Sequence, residues 1–298
     1  MTDPPAPSLT CPPRALATAV ALSLLTLSTA AVWLAIRCGA DPNAAATAAI
    51  VVATPLLALA ERRLPHAPRW AIDHGDLRAD LAYALGLTPP LGAFLLASLS
   101  LACLGRTEPL RLLQAGGVWP HGWPLLAQAA LIGLGTDLVY YAWHRLCHAT
   151  PALWRFHAVH HAAPRVYVLN AFRFHPVDSA AGYVLMYAPV LLAGASLDAI
   201  ALYTVFDFLF GSIQHSNLAL RLGPLNWVLA GPELHRWHHS ARARDRDANY
   251  GNTWIVWDVL FGTRHLPGAH DPADVGFEGS ARYPKGFVGQ LIAPFRRP

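Results

Sequence analysis

The segment that decides the fold reads WHRLCHATPALWRFHAVHH, at residues 143–161. It closes an apolar run, residues 124–143, that is long enough to cross a bilayer as a helix. The segment carries one HxxxH and one HxxHH spacing. Because positions i, i+3 and i+4 lie on one side of a helix, each spacing is expected to point its imidazoles in one direction. The sequence therefore predicts a membrane helix that delivers a group of histidines to its end.

A second HxxHH spacing occurs in LHRWHH, at residues 234–239. The three spacings hold eight of the 15 histidines in the chain. Neutral imidazole is a good ligand for divalent iron, zinc or copper, and eight are more than one tetrahedral ion can use. Two metal ions are the smallest number that uses all eight, and two are therefore predicted. The predicted ligands are His144, His148, His157, His160, His161, His235, His238 and His239.

Two further histidines border an apolar pair of segments and are predicted to join the same site. His175 lies in RFHP, at the entry to the pair, and His215 lies in IQHSN, at its exit. The five remaining histidines lie outside every spacing and are interpreted as interfacial residues. They are His66, His74, His121, His265 and His270.

Asp137 is predicted to belong to the catalytic site. It lies inside an apolar run, seven residues before His144 and on nearly the same helix face. A carboxylate within a membrane segment is a functional candidate, here one that could fix the ring of a ligand histidine. A plain hydrogen bond between helices is the alternative. Asp207 presents the same two alternatives with a less defined position.

The composition excludes an ordinary soluble enzyme, because 54% of the 298 residues are apolar, 13% are charged and the mean hydropathy is +0.32. We predict an all-α, multi-span transmembrane bundle with a cytoplasmic, histidine-rich helical cap that holds a dinuclear metal site. Residues 1–123 would form N-terminal membrane helices and residues 124–298 the catalytic domain. The predicted apolar segments are 15–36, 44–60, 81–104, 124–143, 177–195 and 197–213.

Four of these segments leave details open. The first is longer than the apolar part of a signal peptide and is interpreted as a retained helix after a disordered lead, residues 1–13. Pro89 and Pro90 are expected to kink the third segment or divide it into two half-helices. The last two segments are short and could be full spans or helices partly buried in the protein.

The charge distribution predicts which loops share a side of the membrane. Lysine and arginine total 22 against 18 acidic residues, a net charge of +4, without a run dense enough for nucleic-acid binding. Arginines concentrate between residues 62 and 78 and again after residue 143. By the positive-inside rule both stretches, and hence the histidine clusters, are cytoplasmic, whereas Gly116 would be external. The four cysteines have no paired spacing and are predicted to be thiols.

The order HxxxH, HxxHH, RFHP and a late HxxHH resembles the fatty acid hydroxylase or sterol desaturase superfamily of membrane di-iron oxygenases. WHRLCH with LWRFHAVHH is the most specific part, and NYGNTWIVWDVLFGT at residues 249–263 looks like the closing segment of that family. The resemblance covers roughly residues 124–262. It implies two iron ions held by the ten histidines named above, with O₂ as co-substrate.

The implied reaction is hydroxylation or desaturation of a C–H bond in a lipid, such as a fatty acyl chain or a sterol. An external electron donor is expected, because no haem, flavin or ferredoxin motif occurs in the chain. Two other classes of protein are alternatives. A divalent-metal transporter would place its ligands at the middle of the membrane. A zinc-dependent membrane hydrolase would need a glutamate base, and only Glu233 lies near a cluster.

Overall fold

Helices account for the regular secondary structure of this computed structural model, which describes residues 14–104, 118–268 and 270–296. Within those ranges no strand forms, and the all-helical prediction is confirmed. The α-helices are α1 Arg14–Arg37, α2 Pro42–Arg63, α3 Leu77–Leu81, α4 Thr88–Leu104, α5 Leu125–Ala149, α6 Pro151–His161, α7 Pro176–Leu192, α8 Leu197–His215, α9 Pro232–His238, α10 Ala243–Arg246, α11 Val256–Phe261 and α12 Phe287–Ile292. A π-helix, Ala82–Leu87, joins α3 to α4, and short 3₁₀ turns cover Pro68–Trp70, Val168–Phe172, Gly223–Trp227, Ser280–Arg282 and Ala293–Phe295.

Five helices in the described ranges are long and apolar enough to cross a membrane, so the protein is an integral membrane protein. They are Arg14–Arg37, Pro42–Arg63, Leu77–Leu101, Leu125–Ala149 and Leu197–His215. The predicted apolar pair thus resolves into one helix of spanning length, α8, and a shorter apolar helix, α7. Most residues of α8 are buried, since it packs against α1, α2 and α5.

The third apolar run is one continuous helical rod, in which the two prolines widen the helix and do not divide it. Pro89 has no N–H to donate to the preceding turn. The turn before it opens into the π-helix, where the N–H of Thr88 reaches back five residues to the carbonyl of Tyr83. The Thr88 hydroxyl also donates to the carbonyl of Phe172, 2.7 Å away, which ties this point to the rest of the bundle.

The loop after α2 and the histidine-bearing segments lie at the same end of the bundle. Asp76 accepts two hydrogen bonds from the guanidinium of Arg165, at 3.1 and 2.8 Å. The carboxylate of Glu61 accepts from the backbone N–H groups of Val168 and Asn217. At the other end, Trp119 lies against Gly194 in the turn between α7 and α8. The lead at residues 1–13, Cys11 and Gly116 lie outside the described residues, as does the side chain of Cys103. Cys38 and Cys147 are free thiols.

Candidate metal centre

Nine of the ten predicted histidine ligands converge into two adjoining groups. In each group the ligand nitrogens all lie within 4.8 Å of one another. We call the larger group site A and the smaller one site B. Site A consists of His144, His148, His157, His161 and His238, and site B of His160, His215, His235 and His239. The two sites are in ring contact, since the centroids of His161 and His239 are 4.6 Å apart.

The nitrogen spacings fit those of ligands on one metal ion. In site A the Nε2 atom of His157 lies 3.0 Å from that of His144 and 3.2 Å from that of His161. In site B the corresponding distances from His160 to His215, on to His235 and on to His239 are 3.2, 2.8 and 3.0 Å. Metal–nitrogen bonds of about 2.1 Å separate neighbouring ligand atoms by roughly 3.0 Å at right angles and roughly 3.4 Å at tetrahedral angles. Both sets of residues therefore fit a metal ion.

Unpartnered nitrogens give a second test of the fit. The Nε2 atoms of His148 and His238 are buried and make no hydrogen bond within the described part of the chain. A buried nitrogen without a partner is costly in a folded protein. A metal ion bound at site A would satisfy both.

Each HxxHH spacing divides its histidines between the two sites, and does not point them all one way as expected. His157 and His161 belong to site A, but His160 belongs to site B. In the later spacing the roles are reversed, because only His238 contributes to site A. The physical reason is that adjacent residues on a helix differ by about 100° in direction. A pair such as His160–His161 can therefore face two different ions.

One loop, residues 247–254, orients three ligands of site A. The Nδ1 atom of His148 lies 3.0 Å from a carboxylate oxygen of Asp247. The Nδ1 atoms of His238 and His144 each lie 2.8 Å from a backbone carbonyl, that of Ala248 and that of Tyr250, respectively. An acceptor at Nδ1 fixes the proton there and leaves the Nε2 lone pair for a metal.

Two buried carboxylates hold this loop in place. Asp258 accepts from the N–H groups of Tyr250 and Gly251, each at 2.8 Å. Asp137 accepts from the N–H groups of Thr253 and Trp254, at 2.6 and 3.3 Å. Within the described part of the chain Asp137 thus forms no hydrogen bond with a histidine of either site, and its position is that of an anchor for the loop that orients them.

Asp178 is a site residue that the sequence interpretation missed. One of its oxygens lies 2.8 Å from Nδ1 of His157, and the other accepts from the indole N–H of Trp143 at 3.0 Å. Cys147, His157 and Asp178 also form a third, smaller group of possible ligands. The available signal was the acidic residue in the first turn of α7, two positions after the end of RFHP. Acidic residues are favoured at helix N-termini for other reasons, so the signal was weak.

His175 is not brought into either site. It caps α7, where its Nδ1 accepts from the N–H of Val177 at 3.2 Å, and its Nε2 lies 3.2 Å from the carbonyl of Leu291. Its neighbour Phe174 lies next to site B, where its ring stacks on that of His160 with centroids 4.2 Å apart. Glu233, the candidate base of a hydrolase, accepts from the N–H of Leu222 and lies outside both sites.

Burial sets the protonation state of the ligands in the cap. It lowers the pKa of five histidines well below the usual value, because a charged ring would lose its hydration. These rings are therefore neutral near pH 7, which is the form of imidazole that binds metals. They are His160, His161, His235, His238 and His239.

A cavity of about 170 Å³ leads from both sites into the bundle between α4, α5, α7 and α8. His144 of site A and three histidines of site B form one end of it. Farther from the histidines its wall includes Tyr183, Met186, Asp207 and Phe208. The cavity can therefore bring part of a ligand against the histidines while the helices exclude bulk water.

Comparison with known proteins identifies the family. The family model described as fatty acid hydroxylase matches residues 129–263. An ornithine lipid hydroxylase from Rhizobium tropici is 35% identical over 245 residues, covering 81% of this chain and 73% of that protein. An alkylglycerol monooxygenase from Xenopus tropicalis is 32% identical over 44% of this chain and 29% of its own length. A fatty acid hydroxylase from a Lecanicillium species is 30% identical over 66% of this chain and 56% of its own length.

No solved structure gives a significant match to the chain. The expected resemblance is nevertheless confirmed, because the matched region contains all nine converging histidines and the match to the first relative spans most of both proteins. The chain belongs to the fatty acid hydroxylase superfamily.

Proposed function

We propose that this protein is a membrane di-iron oxygenase that hydroxylates a C–H bond of a lipid, with O₂ as co-substrate and electrons from an external donor. The observation that carries the proposal is the pair of adjoining, all-histidine sites at the end of a cavity that enters the membrane-spanning bundle. The membrane character and the lipid-hydroxylating relatives support the same activity.

The chain's own residues perform three tasks in this proposal. Nine imidazoles would hold the two ions, which supply the activation of O₂ for C–H oxidation when bound. Asp178 and loop 247–254 fix the tautomers and directions of the ligand rings. The cavity wall holds the lipid against the histidines and keeps water away from them.

The sidedness of the site determines where the electrons come from. The arginine-rich loop after α2 and the histidine sites share one end of the bundle. We infer that this end is cytoplasmic, because arginine-rich loops are retained on that side. A cytosolic or membrane-bound reductase could then reach the metals without crossing the bilayer.

Metal and product analysis of one preparation tests the proposal. Protein purified anaerobically from cells grown with ample iron should contain about two irons per chain, the number of sites described above. Supplied with a lipid, a reductant and ¹⁸O₂, it should insert one labelled oxygen atom into the lipid. A single tightly held zinc without iron, together with hydrolysis of the lipid, would support a zinc hydrolase instead. Metal uptake into vesicles without any oxidised product would support a transporter.

A further inference from the structure

Asp207 places a carboxylate in the wall of the cavity near the middle of α8. Its hydrogen bonds to the described residues all fall on one oxygen, Oδ1. Tyr203 donates its hydroxyl at 2.9 Å, Asn252 its side-chain amide at 2.7 Å and Thr253 its hydroxyl at 3.0 Å. The cavity lies beside the same residue, so Oδ2 is the oxygen left for a ligand.

Among the described residues, none balances a charge on this carboxylate. No arginine, lysine or histidine in the described ranges forms an ion pair with Asp207, and the described wall of the cavity contains no lysine or arginine. Asp178, the other acidic residue in the wall, is paired with His157. The three neutral donors offset only part of the cost of a negative charge on Asp207, because a buried charge without a counter-ion is costly. A cationic ligand would remove that cost.

The position of Asp207 suits a polar group rather than an acyl chain. It lies eight residues before His215, about 12 Å along the helix axis, so a group held there leaves several bonds between it and the metal end. Asn252, Thr204 and Tyr183 add polar atoms to the same wall. An acyl chain in this position would cover the carboxylate without supplying a hydrogen bond or a counter-charge to it. At about 170 Å³ the cavity holds a headgroup or a short segment rather than a whole lipid.

We propose that Asp207 binds the primary ammonium of an aminolipid headgroup and thereby selects such lipids as substrates. This inference rests on the proposed function and specifies its substrate class. The similarity to an ornithine lipid hydroxylase agrees with it, since ornithine carries an amine on its side chain. Asp207 also supports loop 247–254 through Asn252 and Thr253, so the test must separate recognition from support.

Recognition and loop support are separated by measuring how tightly the metal-loaded protein binds two probes. The probes are N-palmitoyl-ornithine, which has a free ammonium, and its side-chain N-acetylated form, which is neutral there. Affinities are read from the quenching of tryptophan fluorescence, since Trp143 lines the cavity. The wild type should prefer the ammonium probe. Asp207→Asn should bind that probe about 10- to 100-fold more weakly, as expected for a hydrogen bond to a charged group, and bind the acetylated probe as before.

Tyr203→Phe is the matched control, because it removes a hydrogen bond to Oδ1 and keeps the charge. It should retain the preference for the ammonium probe. Equal weakening of both probes in Asp207→Asn, or loss of bound metal in that variant, would assign Asp207 to loop support and overturn the proposal. Equal affinity of the wild type for both probes would also overturn it. Because the readout is binding, these outcomes do not depend on whether any lipid is oxidised.

Discussion

His160 and His238 occupy the same middle position in the two HxxHH spacings, and each serves the site that its two neighbours do not. Each is almost completely buried, at 1% and 0% exposure. We expect His160→Ala or His238→Ala to abolish lipid oxidation, because each removes one ligand from a different site. Both variants should still insert into the membrane, since the spanning helices are unchanged. Product formation by mass spectrometry and membrane fractionation measure the two effects.

His265→Ala is the control for these variants. His265 is partly exposed and lies outside both sites, with its Nε2 3.3 Å from a carboxylate oxygen of Asp245. The turnover of the His265→Ala variant should stay near that of the wild type. Near-normal turnover of His160→Ala would contradict the two-site arrangement.

Asp178→Asn tests the carboxylate behind His157. The amide keeps the size of the side chain but loses the charge that holds the ring proton on Nδ1. We expect about 10- to 100-fold weaker metal retention, the usual cost of removing such a partner, measured by titration with a chelator. Asp198→Asn is the matched control, because Asp198 also lies in the first turn of a helix but is exposed. Equal retention in the two variants would show that Asp178 does not position His157.

At the scale of elements, loop 247–254 depends on the close approach of its own backbone at Gly251. A Cβ atom at this position would lie 2.6 Å from the carbonyl oxygen of Trp254 and 3.1 Å from Asp258. We expect Gly251→Ala to displace the loop, lower the stability by about 1–3 kcal/mol and loosen the metal at site A. Thermal unfolding and metal content measure these effects. Gly135→Ala in α5, where nothing lies within 4 Å, should be neutral, and similar melting of both variants would contradict the expectation.

The spacing of neighbouring residues predicts the clustered histidines better than it predicts the residues that hold them in place. The nine converging histidines follow from helical spacing and from the ends of apolar runs, which are properties of neighbouring residues. His175 lies outside both sites although its position suggested a ligand. A residue before Pro176 can cap a helix as well as bind a metal, and spacing does not decide between the two. Asp137 is recognisable as a buried carboxylate, but its partner Thr253 is 116 residues away. Contacts of that range are set by the assembled bundle.

The third apolar run illustrates the same limit for a whole element. Pro89 and Pro90 indicate a disturbance of the helix, but sequence does not determine whether the helix breaks or widens. Widening at Ala82–Leu87 keeps the chain helical, and the Thr88 hydroxyl ties the widened turn to Phe172. That carbonyl is 84 residues away, so the outcome depends on tertiary packing.

At the scale of the whole molecule, the shared end of the bundle predicts which surfaces face the cytoplasm. Arg78 and His121 are both exposed, Arg78 near the histidine sites and His121 near the turn between α7 and α8. In a cysteine-free background, Arg78→Cys should be protected from an impermeant thiol reagent added to intact cells, and His121→Cys should be labelled. The opposite pattern would place the metals outside, away from cytosolic electron donors.

The division of His160–His161 and His238–His239 between the sites has a consequence for assembly. Because α6 and the end of α9 each supply histidines to both sites, an ion that bound at one site would also order part of the other set. We expect iron to load cooperatively, so that a titration of the apoprotein passes from empty to doubly occupied with few singly occupied molecules, as native mass spectrometry would detect. Two separate loading steps would mean that the cap is already rigid without metal. Cooperative loading would leave the cell few half-assembled centres able to consume O₂ without oxidising a lipid.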